Sequence, residues 1–168
     1  MNIRAKDIGM NDTVFFDPVG IKNVSSAHDI LRCLLMASGY EALYDIWNRP
    51  EYTTEMRGIE PRQHTVVSTV VASPESHLLG NKYRIIGGKT GTLSGPKAYN
   101  LAALVEVPET GERLAFAVLY ANQKNGEPEN RFEASRQAID AALVRLYGNY
   151  ADNSAEPVCA ASVAAAKV

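Results

Sequence analysis

The spacing of apolar residues changes along this chain, and each spacing predicts a different element. Between Tyr99 and Ala121 the period is two. Leu101, Ala103, Val105 and Val107 share one side of a first run, and Leu114, Phe116, Val118 and Tyr120 share one side of a second. Turn formers at Pro108–Gly111 lie between them, so the pattern predicts two antiparallel strands, Tyr99–Val107 and Arg113–Ala121. Earlier in the chain the spacing is helical. Ile3, Ala5 and Ile8 lie in a short helix that Gly9 stops, and Ile30, Leu31, Leu34 and Leu35 lie in one that Ser38-Gly39 ends. Ser26 is the natural N-cap of that second helix. Asp29, three residues on, makes a carboxylate variant of the capping box and favours the positive helix end.

Leu43, Tyr44 and Trp47 share a face of a further short helix, Tyr40–Trp47, with Pro50 just beyond it. Asn11, Asp12, Asp17, Pro18 and Gly20 mark Met10–Gly20 as a turn-rich loop around Phe15 and Phe16. Thr65–Ala72 is dense in β-branched residues and reads as a strand or an extended buried run, although its pattern alone does not separate helix from strand. A short apolar strand, Tyr83–Ile86, leads into Gly87-Gly88-Lys89-Thr90-Gly91-Thr92. After a polar loop at Asn122–Glu129, Phe132, Ile139, Leu143 and Leu146 form the stripe of a long helix, Glu129–Tyr147, with Asn130-Arg131 as its solvated entry. Gly148–Val168 is Ala-rich, with Asp, Asn, Ser and Pro early on, and reads as a disordered tail. The resulting class is α+β: antiparallel strands packed by a C-terminal helix, an N-terminal helical portion, a domain over 1–147 and a tail over 148–168.

Composition narrows the function. At 168 residues and 46% hydrophobic, the chain suits one globular domain. No apolar run approaches the roughly 18–20 residues of a membrane span. Met1–Met10 alternates charge and apolarity, without the positive cap and apolar block of an export signal. A net charge of −2, with basic residues scattered rather than striped, argues against a nucleic-acid partner. Cys33 sits in a helical pattern and Cys159 in the tail, so no disulfide framework is expected. His28, His64 and His77 lack metal-site spacing even with Cys33, and neither a metal nor another cofactor is expected. Asp29 reads as a helix-start residue rather than a catalytic acid.

The segment with chemical content is Gly87–Thr92. Gly88-Lys89-Thr90 mimics the end of a phosphate-binding loop, but that motif needs a glycine at position 83 and a helix directly after Thr90. Tyr83 occupies the first position, and Gly91, Gly95 and Pro96 forbid the helix. The phosphate reading fails.

Three stretches taken in order point elsewhere: Met1-Asn2…Ala5-Lys6…Gly9-Met10…Thr13…Phe15…Asp17-Pro18…Gly20, then Ser25-Ser26-Ala27-His28-Asp29, then Gly88-Lys89-Thr90-Gly91-Thr92. Together they resemble the C-terminal half of the serine D-alanyl-D-alanine carboxypeptidases, the low-molecular-weight penicillin-binding proteins of β-lactamase-like fold. The resemblance runs from Met1 to about Tyr147. It implies that Lys89 supplies positive charge beside the nucleophile and the substrate carboxylate. It implies that the Thr90 and Thr92 hydroxyls bind the carboxylate of a peptidoglycan stem peptide or of a β-lactam. The Thr92 N–H would be one arm of an oxyanion hole, and Gly91 would keep the strand clear of whatever lies against it.

The departures are equally definite. The family's nucleophile lies in Ser-x-x-Lys on a helix, and its second motif is Ser-x-Asn. Ser94-Gly95-Pro96-Lys97 spells the first only in a segment that cannot be helical. Ser-x-Asn is absent, and Tyr147-Gly148-Asn149, a related form, follows the last helix. Removing a serine nucleophile from such a unit costs on the order of 10⁶ in turnover, so the chain alone is expected not to acylate. In the resembled fold two further strands border the last strand. Arg113–Ala121 is therefore expected to be an open edge, and the chain to associate with itself or with a chain carrying the missing half. The family works outside the cytoplasm, whereas no export signal is expected here. Three readings stand: part of an active carboxypeptidase, a non-catalytic module binding peptide carboxylates through Lys89, Thr90 and Thr92, or a complementing subunit whose Lys-Thr-Gly is a relic.

Overall fold

The alternating runs form the strands they predict, and these build the larger of two antiparallel sheets. The computed structural model describes residues 1–73, 83–93, 98–122, 140–141 and 162–167. Its elements are helices α1 (Asn2–Asp7), α2 (Ala27–Ser38) and α3 (Glu41–Trp47), the hairpin strands β1 (Glu51–Met56) and β2 (Arg62–Val67), then β3 (Arg84–Leu93), β4 (Ala98–Val107), β5 (Glu112–Asn122) and β6 (Ser162–Lys167). The chain is thus a mixed α and β structure with two antiparallel sheets and a few short helices. β1 and β2 pair only with each other, while the larger sheet runs in the order β3-β4-β5-β6.

Both faces of the larger sheet are buried. One carries Leu101, Ala103, Val105 and Val107 from β4 with Leu114, Phe116 and Val118 from β5, joined by Val70 and Tyr83. Those are the residues whose alternation predicted the pair, except Tyr120. Leu101 pairs with Val118 and Tyr99 with Ala121, so Leu119 and Tyr120 together oppose Asn100. That bulge gives Tyr120 a φ of +63° and leaves its side chain exposed. The Asn100 side chain accepts the Tyr120 N–H at 2.8 Å. The opposite face carries Leu104, Ala115, Ala117 and Ile86 against Ala27, Leu31 and Leu34 of α2. Small residues on β5 let that helix approach closely.

The Ser26 cap forms, its hydroxyl accepting the Asp29 N–H at 3.2 Å. Asp29 does not close a capping box. Its carboxylate is buried and accepts the Thr13 hydroxyl at 2.7 Å and the Asp12 N–H at 2.8 Å, with Arg32 at 3.9 Å. A buried carboxylate needs such partners, and here they tie the turn-rich loop to α2. In that loop Asp17 accepts the N–H groups of Val19, Gly20, Ile21 and Lys22. The Gly20 bond foremost, with the other three, holds its carboxyl below the usual range against the opposing effect of desolvation.

Several expectations are corrected. In α1 only Ala5 is buried, because a six-residue helix turns too few residues inward, and Ile3 lies in solvent. Leu43 of α3 is exposed, whereas Tyr44 and Trp47 pack against the sheet. The run Thr65–Ala72 is not one strand. β2 ends at Val67 with Val66 and Val67 exposed, and Val70 alone turns into the core. The largest correction concerns the tail. Ser162–Lys167, expected to be disordered, forms β6 on β5, so the Arg113–Ala121 run is an interior strand rather than an open edge. β5 presents a row of ladder groups between two buried faces, and Ala side chains lose almost no rotamer entropy in taking it up. Within the expected helix Glu129–Tyr147, Asp140 and Ala141 are helical, and Asp140 accepts the Tyr83 hydroxyl at 2.6 Å. The rest of that helix, its entry at Asn130-Arg131, the loop before it, Tyr147-Gly148-Asn149, Ser94–Lys97, His77 and Cys159 lie outside the described residues.

Candidate functional site

Lys89, Thr90, Gly91 and Thr92 all lie on β3, at one end of the sheet order. What aims them is a register shift. Ile85 pairs with Val105, but Gly87 pairs with Leu104, so Ile86 is an extra residue in β3. A one-residue shift exchanges the two faces of a strand. After it, Lys89 pairs with Ala102, on the face covered by α2 and α3, and Thr90 pairs with Leu101, on the other.

The two glycines before Lys89 are required by close approach. A Cβ on Gly87 would meet the Trp47 Cβ at 2.7 Å, so α3 rests directly on the β3 backbone. A Cβ on Gly88 would lie 2.5 Å from the Ala102 carbonyl oxygen and 2.7 Å from the Ala103 Cβ. Gly91 opposes Asn100, and Thr92, exposed, opposes Tyr99.

A cleft of about 680 Å³ opens where α3, the β1–β2 hairpin and β3 meet. Its walls include Trp47, Tyr52, Val66 and Val67; Arg49, Glu51 and Lys89 bring charge, and Ser68 and Thr69 bring hydroxyls. The Arg49 guanidinium lies over the Tyr52 ring, 5.9 Å from its centroid. The Lys89 ammonium donates to the Thr90 carbonyl oxygen, and the Thr69 and Thr90 hydroxyls lie 2.7 Å apart. Two hydroxyls sharing one hydrogen bond keep one O–H to donate outward, and an ammonium that spends one donor keeps two. The arrangement is a cationic and hydroxylic edge beside an apolar wall, a combination suited to an anionic group on an apolar body.

The structure therefore brings Lys89 to the cleft and sets Thr90 at its rim through Thr69, while Thr92 is not among the cleft residues. Ser68, the serine in the cleft, accepts the N–H groups of Val70 and Val71 at 3.3 and 3.0 Å, a turn-forming role. Sequence reasoning missed Trp47, Arg49, Tyr52 and Thr69 as cleft residues. The hairpin was within reach, because Gly58 and Pro61 separate two β-branched runs at Thr53-Thr54 and Thr65–Val67. Nothing local marks Thr69. Among the described residues no three His, Cys, Asp or Glu side chains gather as a metal set, and no helix is long and apolar enough to cross a membrane. No family model, no curated protein and no solved structure matches the chain.

Proposed function

We propose that the Lys89–Thr92 edge is the carboxylate-gripping part of a D,D-peptidase-like site. Within a partial β-lactamase-like fold, it would bind the C-terminal carboxylate of a peptidoglycan stem peptide, or that of a β-lactam. The reading rests on one observation: Lys89 and the Thr69–Thr90 hydroxyl pair sit on a sheet edge bordering a largely apolar cleft. The ammonium supplies charge, the free hydroxyl donor supplies direction, and Trp47, Tyr52 and Val66 take the apolar body of the ligand. Acyl transfer needs a serine on a helix beside Lys89, and these 168 residues offer no such Ser-x-x-Lys. The chain by itself binds and does not acylate. A chain carrying that serine would be its catalytic partner.

Binding of a peptide ending in D-Ala-D-Ala, measured by calorimetry, tests the grip. Lys89→Ala should weaken it roughly 10- to 100-fold, the usual worth of one charged hydrogen bond, and amidating the peptide C-terminus should act similarly. Equal affinity for acid and amide would overturn the carboxylate reading. A fluorescent penicillin should leave no label that survives denaturation. A covalent adduct would show that a nucleophile is present after all.

A further inference from the structure

The cleft that holds Lys89 also holds a second cation, and the carboxylate grip makes no use of it. Arg49 lines the same space, with Glu51 also in its walls. The Arg49 backbone is fixed on both sides. Its N–H donates to the Ile46 carbonyl at 3.3 Å, closing the end of α3, and the next carbonyl, that of Pro50, accepts the Ser68 N–H at 2.8 Å. Pro50 adds a locked φ. The side chain is held as well, with its guanidinium over the Tyr52 ring. A contact with a ring face uses the charge and leaves the N–H groups free. Among the described residues no hydrogen bond or ion pair engages the guanidinium, so its five donors are unspent.

The Pro50–Ser68 hydrogen bond ties this cation to the Lys89 end of the cleft. Arg49 precedes Pro50 and Thr69 follows Ser68, so the Arg49 and Thr69 Cα atoms lie within about 14 Å of each other. Thr69 carries the hydroxyl that meets Thr90 at 2.7 Å, beside Lys89. Trp47, Tyr52 and Val66 give the same space its apolar walls. Two cations beside apolar walls repel each other more strongly than they would in water. Glu51 forms no ion pair with either of them among the described residues. A ligand with one carboxylate answers only one of the two charges, and the planar fork of an arginine matches a second carboxylate with two parallel bonds.

We infer that Arg49 is a second anion subsite, and that the cleft takes a peptide carrying two carboxylates. The C-terminal carboxylate lies at Lys89 and the Thr69–Thr90 pair, and an acidic side chain two residues back lies at Arg49. Two extended residues span about 7 Å, and the acidic side chain covers the remainder. Tyr52 acts as a positioning residue, holding the guanidinium in place. This deepens the carboxylate reading of Lys89 and rests on it for the first anion only.

Calorimetry on the full chain with acetyl-Glu-D-Ala-D-Ala and acetyl-Gln-D-Ala-D-Ala tests this, because the two peptides differ by one charge. The Glu peptide should bind roughly 10-fold more tightly, the worth of one charge-assisted hydrogen bond. Arg49→Ala should remove that preference and leave the affinity for the Gln peptide unchanged, which also shows that the variant folds. Lys89→Ala should weaken both peptides by the same factor and keep the preference. Equal affinity of the two peptides for the native chain would overturn the second subsite and leave the Lys89 reading standing. A preference for the Glu peptide that survives Arg49→Ala would do the same. If Arg49→Ala removes the preference while Lys89→Ala changes nothing, the Arg49 subsite holds and the Lys89 reading falls. Binding of neither peptide would overturn both.

Discussion

The β1–β2 hairpin and the larger sheet are built from the same antiparallel ladder, yet they are held in opposite ways. Every residue of β1 and β2 is exposed, whereas β4 and β5 are buried on both faces. An isolated two-stranded hairpin is marginal in water, because ladder hydrogen bonds largely replace bonds to solvent. The sheet therefore supplies stability, and the hairpin supplies a wall. Tyr52, Val66 and Val67 remain exposed because they line a cleft rather than a core. Apolar residues that stability does not use are the ones available for a ligand.

Breaking the sheet should have the largest effect. Phe116→Ala removes the largest of the fully buried side chains and should cost about 3–5 kcal/mol in denaturant unfolding, enough to abolish a marginal fold. Next is Gly88→Ala. The added methyl meets the Ala102 carbonyl and Ala103, backbone and core atoms that have no room to retreat. A loss of about 1–3 kcal/mol is expected, and it should come with weaker peptide binding, since Lys89 is the next residue. Tyr52→Ala in the hairpin reverses the weighting. Stability should change by less than about 0.5 kcal/mol, as for other exposed sites, while affinity for an apolar peptide should fall several-fold. Equal destabilisation by Tyr52→Ala and Phe116→Ala would erase the contrast between the two regions.

The smallest effect is acid-side and local. The folded Asp17 carboxyl lies below its ordinary value of 3.8, so the folded form binds protons less readily than the unfolded one. Its contribution is complete above that ordinary value and is lost as pH falls through the lower, folded value. Amide exchange at Gly20 and Lys22 should accelerate in that window relative to neighbouring loops, and Asp17→Asn should remove the pH dependence. Unchanged acid behaviour in the variant would refute the assignment.

Much of the framework was legible because it repeats locally. Strands β4 and β5 were placed to within a residue by alternation, and α2 by its apolar spacing and the Ser26 cap. The apolar pattern reached only Tyr83–Ile86 of β3, and the continuation of that strand through Lys89–Thr92 was expected from the family resemblance alone. The cleft was not legible. Trp47 and Tyr52 flank Pro50, far in sequence from Lys89, and they meet it only because Gly87 lets α3 settle on β3. Asp29 was readable as a helix-start residue, but its bonds to Thr13 and Asp12 join segments that no local pattern connects.

The sequence by itself determined the three short helices, the strands β4 and β5, and which face of that pair turns inward, because periodicity acts through neighbouring residues. The tertiary structure alone decided which face Lys89 takes, through the extra residue at Ile86 in the pairing with β4. It also decided that an alanine-rich segment becomes a strand. Ser162–Lys167 has too little apolar surface to order itself, and it is held by the unpaired ladder groups of β5, which exist only once the sheet has formed.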